Sequence, residues 1–153
     1  MPSIATKYFG VLAYREEAVF EFPRGLPAFE EEHRFVLIEI PENATLVFLQ
    51  SLRQPELCFL AFPVLVADRE YRLAVSREDL EALDLDRGRQ PTLGSEVVVL
   101  ALVSLQDGFS ATANLMAPIV LNLKTLRGLQ AIRQDNLYSH QHSIQSLRPE
   151  AAC

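Results

Sequence analysis

From Val97 to Val103 every residue is apolar, with Glu96 before the run and Ser104 after it. The run is far too short to cross a bilayer, which takes roughly 20 apolar residues as a helix. It reads instead as a strand that must be covered on both faces. Other short runs share this β character: Val11 to Tyr14, Val19 to Phe22, Phe35 to Ile40, Leu46 to Leu52, Cys58 to Val64, Tyr71 to Val75, Ser110 to Leu115, Ile119 to Leu123 and Leu129 to Arg133. Turn residues separate them. Asp107-Gly108 and Arg127-Gly128 are hairpin-type dipeptides, so the runs on either side of each are expected to pair antiparallel.

One stretch reads firmly as helix, about Arg77 to Leu85. Ser76 can cap it with Asp79 three residues on, early acids suit the helix dipole, Leu80 and Leu83 share a face, and it ends before Gly88. Phe29 to His33 is a single turn at most. The expected fold is mainly β: a compact antiparallel β-barrel-like single domain of about ten short strands and one short helix. A barrel or strongly bent sheet lets Val97 to Val103 bury both faces without a long open edge. The domain is expected to span residues 1–138, and the polar tail 139–153 to be mobile.

At 153 residues, 49% hydrophobic and 22% charged, the chain is one ordinary globular domain. The amino terminus lacks the apolar core of a signal peptide, so a cytoplasmic location is expected. Cys58 lies in the apolar run Leu57 to Phe62 and Cys153 ends the chain, with no metal-type spacing between them. Both are read as free thiols. Of the net charge of −6, the acid lies early: up to Gln106 there are 17 acidic and 10 basic residues, and from Asp107 onward 3 and 4. A negative surface repels phosphate backbones and attracts basic partners, which disfavours direct nucleic-acid binding. Glu30-Glu31-Glu32 and Glu78-Asp79-Leu80-Glu81 also fit solvated faces that keep the chain soluble.

The phosphate-loop, dinucleotide, zincin and serine-nucleophile signatures are all missing from the sequence. His140 and His142 alternate as strand residues do and can be imagined sharing a metal with His33 or Asp135, but zinc sites draw on three or four protein ligands. Glu16-Glu17 would point to opposite faces if extended and makes no acid and base pair. The expectation is a non-enzyme with no cofactor and no metal. A small-ligand-binding β-barrel and a metal-dependent enzyme using His140 and His142 are the alternatives.

Between Ser110 and Thr125 two amides, Asn114 and Asn122, interrupt strand-like sequence, and Pro118 breaks it. Asn is a poor strand former, and a buried amide left without partners costs roughly 1 to 3 kcal/mol per group. Both residues are therefore held by something specific, either a neighbouring strand or a partner. Proline belongs at a strand end, bulge or edge, so a sheet edge open to a partner is expected near Pro118. Gly25-Leu26-Pro27-Ala28-Phe29 likewise reads as either a structural turn or an exposed recognition loop.

Several segments, in order, resemble the flagellar assembly factor FliW family from about Thr6 to about Tyr138. They are Thr6 to Gly10, Phe22-Pro23-Arg24-Gly25-Leu26-Pro27-Ala28-Phe29-Glu30, Phe48 to Ser51 with Pro55, and Thr112 to Val120 with Asn122, Lys124-Thr125 and Gly128. Ala28 stands where the family usually has glycine, and Val64 to Arg69 lacks its aromatic and proline character. The resemblance implies a non-catalytic cytoplasmic protein, monomeric when free, that binds flagellin. When released, it binds and antagonises CsrA, a translational regulator that represses flagellin messenger RNA. No membrane or direct nucleic-acid partner is implied. The partner-binding candidates are Gly25, Leu26, Pro27, Phe29 and Glu30 in one segment and Asn114, Met116, Pro118 and Asn122 in the other.

Overall fold

A computed structural model describes residues 1–40, 42–105 and 110–144. Along the chain run β1 (Ser3–Thr6), β2 (Gly10–Ala13), a 3-10 turn (Glu16–Ala18), β3 (Phe20–Glu21), β4 (Arg34–Ile40), β5 (Asn43–Ser51) and β6 (Cys58–Pro63). There follow α1 (Val64–Ala67), α2 (Arg77–Ala82), β7 (Val97–Ser104), β8 (Ala111–Ala113), β9 (Ile119–Asn122), β10 (Gly128–Gln130) and β11 (His142–Ile144). The main sheet is antiparallel in the order β10-β9-β7-β6-β5-β4-β3, with β8 and β11 branching from the far end of β7.

The sheet bends until its two ends meet without closing. Glu21 N–H donates to the Leu126 carbonyl at 2.8 Å, and Glu21 forms a parallel bridge with Arg127. This leaves a seam between β3 and β10, so the fold is mainly β and barrel-like with an open seam. The long apolar run explains the curvature. In β7, Leu100 joins an inner cluster with the fully buried Phe22, Phe35, Leu49 and Leu121, while Val97, Val99 and Ala101 join an outer cluster under α2 and the 68–76 segment. Each face of β7 thus has its own core, as period-2 alternation requires.

Local chemistry sets the departures from the sequence reading. Tyr71 to Val75 is not a strand, because the Gln90 side chain takes the place of a neighbouring strand: Val75 N–H donates to Gln90 Oε1 at 2.8 Å, and Gln90 Nε2 donates to the Val75 carbonyl at 3.0 Å. The helix ends at Ala82 rather than Leu85, since Asp84 turns left-handed (φ 59°) and Leu85 N–H folds back to the Leu80 carbonyl. Its start is as expected, with Ser76 Oγ accepting from Asp79 N–H. β9 and β10 pair antiparallel as expected, but the left-handed residue in their turn is Leu126 (φ 61°), and Gly128 is the first residue of β10. An added Cβ on Gly128 would lie 2.7 Å from Leu121 Cδ2 and 2.8 Å from the Phe22 ring, so glycine is needed here for close packing. The Asp107-Gly108 hairpin lies outside the described residues.

Order continues past Tyr138, where the sequence reading placed a mobile tail. β11 pairs with β8, and Leu115 N–H donates to the Ser139 carbonyl. Arg133, 4% exposed, lies over the rings of Tyr71 and Tyr138 and binds Asp135 at 2.8 Å. β11 itself is held by β8 and by Ile144, which joins the outer cluster. Residues 145–153 lie outside the described residues. The β1–β2 hairpin docks through Lys7 N–H to the Pro55 carbonyl and Phe9 edge-on to Phe48.

Candidate functional site

The loop from Pro23 to Glu32 is built as a ridge beside the seam. Gly25 adopts φ 63°, where an added Cβ would meet the Glu30 backbone at 2.5 Å, so the loop can close on itself only with glycine there. Leu26 and Phe29 exchange backbone hydrogen bonds of 3.2 and 2.7 Å. Leu26 is buried, and the half-buried Phe29 meets Phe59 edge-on. Pro27, Ala28 and Glu30 are left exposed. Ala28 has φ 71°, a left-handed conformation that favours glycine.

Both ends of the ridge are anchored by charge. Arg24 donates to Asp79 of α2 at 2.7 Å. Glu32, 1% exposed, accepts from Ser51 Oγ at 2.7 Å, Gln54 Nε2 at 2.8 Å and Arg53 at 2.5 Å. Burial pushes the Glu32 carboxyl up, yet the hydrogen bonds from Ser51, Gln54 and Arg53 and the Arg53 charge together hold it below the usual glutamate value. The neighbouring Gln50 amide donates to the Ser51 and Leu57 carbonyls, fixing the β5–β6 turn.

Between ridge and seam lies an open cleft of about 280 Å³, walled by Arg24, Gly25, Pro27 and Glu30 on one side and by Leu129, Gln130 and Ile132 on the other, with Asp79 also lining it. The ridge lines a second hollow of about 320 Å³ with Arg53 and Gln54. Of the residues singled out in sequence, Gly25, Pro27 and Glu30 come together on the cleft, while Leu26 and Phe29 hold the ridge to the core.

The second segment is placed differently. Asn122, 3% exposed, turns away from the barrel interior: its Nδ2 donates to the Leu83 carbonyl at 2.6 Å, and its Oδ1 accepts from Lys124 and Thr125 N–H. Asn114 Oδ1 accepts from Met116 and Ala117 N–H, shaping the bend before Pro118. Both amides build structure. Pro118 is buried and its carbonyl accepts from Ala131 N–H at 2.8 Å. No edge opens at the proline, whose missing N–H is tolerated because that pair uses only its carbonyl. The free edge lies one strand further out, on β10. The sequence reading missed Arg24, Asp79, Gln130 and Ile132 as cleft residues; Ile132, 57% exposed, carried a signal only as an apolar residue in the last strand-like run.

Burial pushes the Cys58 thiol up to about 11, leaving it protonated at neutral pH. Among the described residues no group of three or more His, Cys, Asp or Glu is placed to hold a metal ion, and His33 Nδ1 instead meets the Phe22 carbonyl. Among them too, no helix is long and apolar enough to cross a membrane.

Comparison with known proteins gives one answer. Residues 3–144 match the model of the family described as FliW protein. A flagellar assembly factor FliW of Syntrophomonas wolfei is 34% identical, covering 92% of this chain and 87% of the relative. That of Bacillus subtilis is 31% identical, covering 92% and 95%. The crystal structure of a flagellar assembly factor FliW superposes with a TM-score of 0.81 at 30% identity, covering 97% of this chain and 99% of that one.

Proposed function

The chain belongs to the FliW protein family, and from that premise we propose that it is a non-catalytic cytoplasmic flagellar assembly factor that binds flagellin. When free of flagellin it binds and antagonises the translational regulator CsrA, relieving repression of flagellin messenger RNA. The observation that carries this reading is the match across 97% of the chain to a solved flagellar assembly factor. It holds for the whole fold rather than for a shared motif.

Physical features support protein binding over the alternatives. The inner face of the sheet is filled by Phe22, Phe35 and Leu49, each fully buried, where a ligand-binding barrel would keep a cavity. The exposed ridge carries acid, and the net charge of −6 favours a basic RNA-binding partner, whose hold on RNA nearby negative charge would weaken. Titration of the purified chain with flagellin and with the regulator tests this. Both should bind, and regulator affinity should fall as salt rises, because exposed charges are screened beyond about 10 Å at 0.1 M. Failure to bind either protein contradicts the reading; a flat salt response replaces the electrostatic part with an apolar interface.

A further inference from the structure

After the Glu21–Arg127 bridge no further strand pairing joins the two ends of the sheet among the described residues, and the outer edge of β10, with the segment 131–133 that continues beside it, lines the cleft. Its hydrogen-bonding direction can be read residue by residue. The Arg127 carbonyl accepts from Asn122 N–H, Ala131 N–H donates to the Pro118 carbonyl, and Arg133 N–H donates to the Met116 carbonyl, at 2.8, 2.8 and 2.9 Å. Antiparallel strands alternate the direction of these groups, so Gln130 and Ile132 turn their N–H and C=O groups outward. Among the described residues neither has a backbone partner on that side. This is a strand edge with unmet hydrogen-bonding capacity, the feature that invites a further strand.

The cleft specifies the guest. Arg24 and Asp79 neutralise one another at 2.7 Å, which leaves Glu30 as the uncompensated charge of the lining, opposite the exposed aliphatic side chain of Ile132. A second copy of the chain is a poor occupant, since its own edge is walled by its own ridge and its net charge of −6 repels. We propose that the seam takes one extended segment of a basic protein partner, added as a strand beside Gln130 and Ile132, with an aliphatic side chain against Ile132 and a Lys or Arg against Glu30. This rests on the reading of the chain as a protein-binding assembly factor and assigns its basic partner to the seam.

Amide hydrogen exchange on the full chain, alone and saturated with the purified CsrA-type regulator, tests the assignment. The Gln130 and Ile132 amides should exchange freely in the unbound chain and at least tenfold more slowly in the complex. Ile132→Pro removes an outward N–H without breaking the β9 ladder, and should weaken regulator binding at least tenfold while the melting temperature holds. Should that variant fail to fold, Glu30→Lys, on an exposed side chain, should weaken binding at low salt. Binding without added protection at these amides, or loss confined to flagellin, overturns the seam assignment alone. Absence of any complex with the unaltered chain overturns the functional reading together with it.

Discussion

Asn122 and Leu83 lie on different elements and are joined by a 2.6 Å hydrogen bond from the Asn122 amide to the carbonyl that follows α2. The same side chain accepts from Lys124 and Thr125 N–H, holding the turn that delivers the Leu126 carbonyl to Glu21 at the seam. One buried amide thus ties the helix, the β9–β10 turn and the barrel seam together. Asn122→Ala strips the Leu83 carbonyl and two turn N–H groups of their partner. The expected loss is about 2 kcal/mol, a fall in melting temperature of roughly 5 °C or more, with the affinity of the folded fraction for either partner unchanged. Lost affinity at unchanged melting temperature would make Asn122 an interface residue instead.

Ala28 provides a test in the opposite direction. Its φ of 71° costs an L-residue about 1 kcal/mol relative to glycine. Ala28→Gly should raise the melting temperature by roughly 3 °C, and Ala28→Val should lower it, because a β-branched residue tolerates that conformation less well. Thermal denaturation of the two variants beside the parent chain checks both signs.

The same residues show what sequence reading can reach. The strand at Val97 to Val103 and the pairing across Arg127-Gly128 are visible because they rest on an unbroken apolar run and on turn chemistry. Tyr71 to Val75 looked like a strand because its residues suit one, while what denies it a partner strand is the Gln90 side chain, 15 residues from Val75. β11 is hidden in polar sequence since its support, pairing with β8 and the burial of Ile144 in the outer cluster, is tertiary. Within the site, Gly25 and Glu30 were legible as a motif. Their opposite wall was not, because the seam exists only where the first and last strands of the main sheet come round to meet, and no local pattern encodes that meeting.

Glu32 gives the acid dependence a sign. Its carboxyl is held below the usual value of 4.5 in the folded chain, so its contribution to stability is complete above that value and is lost as pH falls through the lower folded value. Glu32→Gln should cost stability at pH 7, by about 1.5 to 3 kcal/mol for the charge-assisted bonds, and should make the decline between pH 5 and pH 3 shallower than in the parent (both roughly placed around the shifted group). Urea unfolding across that range measures it. Parallel acid limbs in the two proteins would show that Glu32 does not carry the dependence.

At the seam, Gly128→Ala forces a methyl to within 2.8 Å of the Phe22 ring and Leu121. Overpacking of this kind costs about 1 to 3 kcal/mol, and here it also pushes β10 away from β3. Denaturant unfolding should show the loss, and the Glu21 amide, bonded across the seam to the Leu126 carbonyl, should exchange faster than in the parent chain. An unchanged Glu21 amide would mean that the seam is not sensitive to packing at Gly128.

On the proposed reading one chain holds either flagellin or the regulator, but not both. This exclusivity is tested most directly by preforming the complex with the CsrA-type regulator, adding purified flagellin, and following the regulator as it leaves. The regulator should be displaced completely, with flagellin and the regulator never found on the same molecule; a stable complex containing all three proteins would overturn exclusive binding.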